Sequence, residues 1–416
     1  MGPVRGSVIA KEAAEDPRAL YFREKLIEEF KGTSLSGIYP RDPPVRGPFG
    51  EAEINLKPGA EPVSVPPYRI AGERHEAHAK LVDEGVRDGK LELGKGAWNT
   101  PSFPVPKKKP GAYRLVQDFR PQNEATLKDG HTLPRIHDIL QRQWKCMVWT
   151  VLDLVDGFHQ MPLKKEHRHI TCMSTPRGTM QWTVNVMGLK NAGSQFQRMM
   201  EWVLKDHPTA DAYIDDIIIG TVAPSWEECI EKHYHEVRAV LLEFQGKKMV
   251  CHSDKSDFFQ KEVEFCGHLV REGARRPSPG KLLPIQKLEV PGTVSELRGF
   301  LGLTNYVSEY VDHYAEAAAP LMEKLKVGKE DVKKGSKVKV KWTAKEIESF
   351  EALKNKLAEK LELFQVDMDK PFILHCDASD HAIGAELCQK DKDGVERPVG
   401  FSSRKMAKIQ MNWTPR

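Results

Sequence analysis

Asp215 and Asp216 stand side by side in the apolar run Ala212-Tyr213-Ile214-Asp215-Asp216-Ile217-Ile218-Ile219. Tyrosine and isoleucine favour an extended chain, and the Asp pair interrupts it like a hairpin turn. Two like charges among apolar neighbours are costly to bury unless cations neutralise them. Carboxylate oxygens suit a hard cation such as Mg²⁺. On these residues alone the stretch reads equally as a metal platform on a hairpin tip or as a surface turn. A third carboxylate, Asp153, lies in the strand-like run Val148-Trp149-Thr150-Val151-Leu152-Asp153-Leu154. It too needs a partner charge if it is buried.

Helical stripes surround these acids. Phe196, Met199, Met200, Val203 and Leu204 recur at helical spacing, as do Ile230, Tyr234, Val237, Leu241 and Phe244. The order is strand with Asp, helix, hairpin with Asp-Asp, helix. It implies a sheet with helices behind it, an α+β layer. Elsewhere the patterns predict helices over 11–30, 73–90, 293–314 and 345–364. A Gly- and Pro-rich linker is expected over 32–50, proline-broken extended chain over 51–70 and a strand pair over 263–270. Leu297, Phe300, Leu301, Thr304 and Val307 would line one face of the 293–314 helix. A last unit starts at Pro371, with a strand ending in Asp377 and a small-residue hairpin through Gly384.

Basic residues cluster locally. Lys107, Lys108 and Lys109 form a turn between two predicted strands, with Arg114 and Arg120 close behind. Such a turn either protects a sheet edge or neutralises phosphates. Nine lysines against two acids between 324 and 345 read as a solvated linker or as a nucleic-acid contact. The net charge of +4 over 416 residues is too small to define a polyanion binder by composition. The 40 % hydrophobic and 29 % charged shares describe an ordinary globular chain, long enough for two to four domains. No window reaches the ~18 apolar residues of a membrane span, and residues 1–6 lack the apolar core of a secretory signal. Seven scattered cysteines without a C-x-x-C pair suit a reducing compartment. Cys229, His233 and His235 have helical spacing for a metal, but they read more simply as a solvated helix face.

Taken together, Asp153, Asp215-Asp216 and the Lys107–Arg120 block resemble reverse transcriptases, most closely those of gypsy-type long-terminal-repeat retrotransposons. Further landmarks keep the same order. They are Ile54 to Gly59, Leu133-Pro134-Arg135-Ile136, Gly157-Phe158-His159-Gln160, Phe265-Cys266-Gly267-His268, Leu297 to Tyr306 and Asp377-Ala378-Ser379-Asp380. The resemblance runs from about Ile54 to Trp413. It implies an α+β right-hand polymerase with fingers, palm and thumb, followed by a truncated RNase H-like domain. The implied divisions are an N-terminal linker at 1–50, fingers and palm at 51–272, thumb and basic linker at 273–340, and a partial RNase H-like domain at 341–416.

By resemblance, Asp153, Asp215 and Asp216 are the palm triad and bind two Mg²⁺ ions, with Mn²⁺ as the alternative. Asp153 and Asp215 would bridge the metals, and Asp216 would be the less direct partner. Lys107, Lys108, Lys109 and Arg114 match the fingers strands that hold the triphosphate. Phe158 matches the aromatic gate beneath the sugar, and Met187 and Gly188 flank the incoming dNTP. Phe265, Cys266, Gly267 and His268 resemble the strand pair that grips the primer, and the 293–314 helix belongs to the thumb. The implied partners are an RNA template, a DNA primer, the RNA–DNA hybrid and dNTPs, with no membrane. The implied location is the cytoplasm, in a virus-like particle, or the nucleus.

Two departures stand out. Prolines usual in the family are replaced by Val186 and Gly193, which predicts a looser backbone beside the nucleotide. Of the RNase H acids only Asp377 is matched before Arg416, which predicts no RNase H activity. The competing readings are a degenerate, non-catalytic nucleic-acid-binding remnant and an unrelated phosphotransferase. The phosphotransferase leaves the landmarks after position 260 unexplained.

Overall fold

A computed structural model describes residues 16–40, 47–107, 109–325, 338–359, 362–379 and 382–406. The chain forms two compact units, 1–266 and 267–416.

In the first unit, α1 (Pro17–Phe30) is capped by Asp16, whose carboxylate accepts from Arg18 N. Its Phe22 ring stacks on Tyr234 at 4.6 Å. Next, α2 (Glu73–Arg87) covers a five-stranded sheet of order β1-β6-β5-β2-β3, comprising β1 (Leu91–Leu93), β2 (Thr100–Pro106), β3 (Tyr113–Gln117), β5 (Met173–Thr175) and β6 (Gly178–Trp182). Val82, Phe119, Met173 and Trp182 form its core. The Trp182 indole donates to Gln117 Oε1 at 2.8 Å, so the buried ring keeps a polar partner.

A second sheet, of order β7-β8-β4-β9, carries the acids. It contains β4 (Val148–Asp153), β7 (Ala210–Tyr213), β8 (Asp216–Thr221) and β9 (Asp257–Gln260). Behind it lie α5 (Ala192–Val203) and α6 (Trp226–Gly246), whose Phe196, Met199, Met200, Ile230, Val237 and Phe244 share one core with Leu152, Ile217 and Ile219. The expected α+β layer is present.

The solvated-face reading of Cys229 and His233 is overturned. Both are fully buried in α6, and only His235 is exposed. The His233 ring bridges Thr150 Oγ1 on β4 and Thr221 Oγ1 on β8, each at 2.8 Å. Burial pushes its pKa down to about 3, so it stays neutral. An imidazole with two hydroxyl partners tolerates a core position that its charge would forbid.

In the second unit, β11 (His268–Arg271), β12 (Ala274–Pro277) and β13 (Leu363–Phe364) pair antiparallel. The helices are α7 (Pro279–Gln286), α8 (Val294–Tyr306), α9 (Tyr314–Glu323) and α10 (Ala344–Ala358). The predicted 293–314 helix stops at Tyr306, and the predicted 345–364 helix gives way to β13. Thr293 with Glu296 and Thr343 with Glu346 form capping boxes that fix two helix starts. Leu297, Phe300, Phe350, Leu353 and Leu357 build the core. The last sheet, of order β14-β15-β16, is made of β14 (Ile373–Ala378), β15 (Ala382–Lys390) and β16 (Glu396–Lys405). Gly384 lies within β15, not in a turn. Most of the lysine-rich 324–345 stretch, and Lys108, Asp380 and Trp413, lie outside the described residues. No described helix is long and apolar enough to cross a membrane.

Candidate active site

β4 and β8 pair so that Asp153 opposes Asp216, with Leu152 opposite Ile217 and Val151 opposite Ile218. Directly opposed residues share a face, with Cβ atoms about 4.5–5.5 Å apart. The strands are buried throughout except at the acids, so both carboxylates sit where the core ends. Two backbone bonds pin Asp153. Its N–H donates to Ser256 Oγ at 3.1 Å, and its carbonyl accepts from His252 N at 2.8 Å. Burial pushes the neighbouring Cys251 thiol up, and the Asp153 charge adds to the shift.

The turn is Ile214–Asp215 rather than Asp215–Asp216, because Tyr213 and Asp216 already pair. A two-residue hairpin loop needs positive φ at its first position to match the strand twist. Ile214 supplies it at φ 58°, a rare conformation for a β-branched residue. Asp215 therefore projects from the turn and Asp216 from β8, at the same sheet end as Asp153. Gly157 lets Asp215 approach, since a Cβ there would lie 2.9 Å from Asp215 Cβ.

Phe158 follows in a short 3₁₀ turn, Gly157–Gln160, with its ring against Phe196 at 5.2 Å. That turn starts from left-handed Asp156, whose carboxylate accepts from Lys90 Nζ at 2.6 Å. Desolvation raises the Asp156 pKa, but the Lys90 charge, its hydrogen bond and the nearby His159 and Lys107 charges together outweigh it, and the net shift is downward.

The three carboxylates offer hard oxygen donors from one strand, one turn and a second strand, which suits a divalent cation. Among the described residues no group of three or more His, Cys, Asp or Glu is placed so that it could hold a metal ion as it stands. Cys266 Sγ lies 3.7 Å from Asp216 Oδ2.

Lys107 and Lys109 are exposed at the β2–β3 turn, and exposed Arg114 pairs across from Val105. Arg120 is exposed and ion-paired with a neighbouring acid. It clamps Asp118 through Nε–Oδ1 at 2.9 Å and holds that carboxyl down at about 2. Met187 is exposed, and Gly188 has φ 107° beside the Phe119 ring. Side-chain amides hold the segment where the looser backbone was expected. The Gly188 carbonyl accepts from Asn123 Nδ2 at 2.8 Å, Lys190 N donates to Asn123 Oδ1, and Asn191 Nδ2 donates to the Leu127 carbonyl.

Phe265 is buried at the end of β10 (Glu262–Phe265), and Cys266 is left-handed at φ 47°. These residues close the first unit. In the second unit Gly267 has φ 79°, and the His268 ring is buried with Nδ1 2.6 Å from the Tyr310 hydroxyl. Asp377 lies on exposed β14.

Sequence reasoning missed Gln197 and misread His233. Gly157 was visible only as part of a motif. Gln197 sits on the flank of the α5 apolar stripe and is almost fully buried.

Residues 105–270 match the family model described as reverse transcriptase (RNA-dependent DNA polymerase), and residues 342–416 match the RNase H-like domain found in reverse transcriptase. The chain thus carries a reverse transcriptase domain followed by an RNase H-like domain. Its relatives are transposon polyproteins, in line with the resemblance drawn from its motifs. It is 32 % identical over 393 residues to the retrovirus-related Pol polyprotein from transposon opus of Drosophila melanogaster, covering 91 % of this chain and 38 % of that one. It is 31 % identical to that from transposon 297 of the same organism, covering 85 % and 32 %. The Tf2-3 polyprotein of Schizosaccharomyces pombe is 27 % identical, covering 94 % and 28 %. The chain thus spans about a third of these relatives' lengths. In fold it is similar to the foamy viral protease-reverse transcriptase. The structure in complex with dsDNA has a TM-score of 0.81 and 22 % identity, covering 98 % of this chain and 81 % of that one. The structure in complex with RNA/DNA hybrid has the same TM-score and covers 52 % of its chain.

Proposed function

We propose that the chain is the polymerase segment of a gypsy-type Pol polyprotein and extends a DNA primer on an RNA template. In the reaction the primer 3′-oxygen bonds to the α-phosphorus of a dNTP. The bond from that phosphorus to its bridging oxygen breaks, pyrophosphate leaves, and the hydroxyl proton passes to solvent. The observation that carries the reading is the Asp153–Asp216 register, with Asp215 on the adjoining turn. Asp153 and Asp215 would hold two Mg²⁺ ions, with Asp216 supporting them. When bound, such ions activate the attacking hydroxyl and stabilise the leaving oxygen.

The other residues position substrate. Arg114 and the Lys107–Lys109 turn face the triphosphate, and Met187 and Gly188 form the wall beside it. The Phe158 ring, backed by Phe196, fills the space a ribose 2′-hydroxyl would need. Residues 265–268 lie along the primer end, and α8 follows the product duplex by shape and backbone contact. The foamy viral structures with dsDNA and with RNA/DNA hybrid support this choice of partners. Work inside a cytoplasmic virus-like particle would suit such an enzyme. We extend the proposal to the RNase H-like part, which we read as non-cleaving. Its Asp377 sits on a solvated strand, where water competes for any cation.

Primer extension on poly(rA)/oligo(dT) with Mg²⁺ tests the reading. The wild-type chain should extend the primer and Asp215→Asn should not. Equal background from both would make the chain a binding remnant.

A further inference from the structure

The hairpin that carries Asp215 is built around an unfavourable residue. Ile214 has φ 58°, where Cβ crowds its own backbone, and such a conformation persists only if its surroundings hold it. One side chain does so from outside the hairpin. Gln197 on α5 accepts from Ile214 N through Oε1 at 2.7 Å and donates from Nε2 to the Ala212 carbonyl at 3.0 Å. The second Nε2 proton goes to Glu201 Oε1 at 3.1 Å, one helical turn along. Glu201 thereby fixes which way the amide faces, with its acceptor on Ile214 and its donors on Ala212 and Glu201. Gly157 closes in on the Asp215 Cβ from the 3₁₀ turn.

We propose that Gln197 is a positioning residue whose amide holds the Ile214–Asp215 turn in its left-handed form and so sets the direction of the Asp215 carboxylate. This rests on the reading of Asp215 as a metal-holding residue. Gln197 reaches the turn only through the backbone atoms of Ala212 and Ile214, so its loss would act on how the acid is aimed.

The test uses the full chain with Gln197→Met, which keeps length but removes all three bonds. Gln197→Glu keeps only the acceptor, and Gln197→Met combined with Ile214→Gly removes the need for a clamp, since glycine takes positive φ freely. Primer extension is measured against Mg²⁺ concentration, alongside the thermal unfolding midpoint. Gln197→Met should raise the half-saturating Mg²⁺ concentration at least tenfold with its unfolding midpoint near wild type. Adding Ile214→Gly should recover at least threefold of that. If Gln197→Met does not fold, Gln197→Glu, which keeps a polar group in the site, carries the same readout. Half-saturation within twofold of wild type, or activity lost only in step with folded protein, overturns the proposal. If Gln197→Met behaves as wild type while Asp215→Asn is dead, only the positioning role falls. If Asp215→Asn is as active as wild type, the metal reading falls and this one with it.

Discussion

Two strands in this molecule carry the same sequence signature and opposite environments. β4 reads Val-Trp-Thr-Val-Leu-Asp and β14 reads Ile-Leu-His-Cys-Asp-Ala, each an apolar run reaching an acid. In β4 the five residues before Asp153 are buried. In β14 every residue after Ile373 is exposed. Asp153 therefore stands at the rim of a dry core, where a cation's attraction is weakly screened, and Asp377 stands in water. An acid at the end of an apolar strand is thus a weak sign of metal chemistry. What separates the two is the partner strand. β8 delivers Asp216 opposite Asp153, whereas β15 places Gly384 opposite Asp377.

The sharpest way to break this comparison is to neutralise both acids in turn. Asp153→Asn should lower primer extension by roughly 10³-fold, since a metal-held charge is worth several kcal/mol. Asp377→Asn should leave extension within twofold. Equal losses would mean that burial does not distinguish them. A smaller effect is expected from Gly157→Ala, whose new methyl would displace Asp215. Displacement on the 1 Å scale costs about 10²-fold, so kcat should fall while template–primer binding holds in a filter assay. Next, Phe158→Ala should weaken dNTP-over-rNTP selection by about tenfold or more, read from the ratio of kcat/KM values. Unchanged selection would remove Phe158 from the gate.

The smallest effect is on stability and pH. The folded pKa of His233, about 3, lies below the unfolded value near 6.5. The unfolded chain binds the extra proton between those values, so stability falls as pH drops through that window. Buried His78 and half-buried His159, both pushed down to about 4, act in the same direction. His233→Asn should remove about 1.4 kcal/mol per pH unit of that slope between about pH 4.5 and 5.5, measured by urea unfolding. An unchanged slope would show that His233 is not neutral in the fold.

Much of this site was legible because its signals are local. Apolar runs around Asp153 and Ile217 predict strands, and the stripe through Phe196 and Val203 predicts the helix behind them. The turn was placed one residue late, because Asp is the commoner turn former and nothing in the sequence shows that Ile214 takes positive φ. Cys229 and His233 were misread because their burial depends on Thr150 and Thr221, which lie on other elements. The pairing of Arg120 was not legible for a nearer reason. Asp118, two residues before it, takes up its guanidinium, and opposite charges at that spacing give no sign of whether they pair.

The pairing of β4 with β8 also dictates the order of events in folding. Asp153 and Asp216 lie about 60 residues apart in the chain, and closing a loop of that length costs on the order of 4 kcal/mol. Strand β4 can become extended early, but its acid has no counterpart until β8 docks. A chain emerging from the ribosome cannot oppose Asp153 and Asp216 until both strands are made, so the activity proposed above would be missing from nascent chains and early collapsed states. The carboxylate cluster is therefore a late-forming contact, and its assembly reports on completed folding of the sheet.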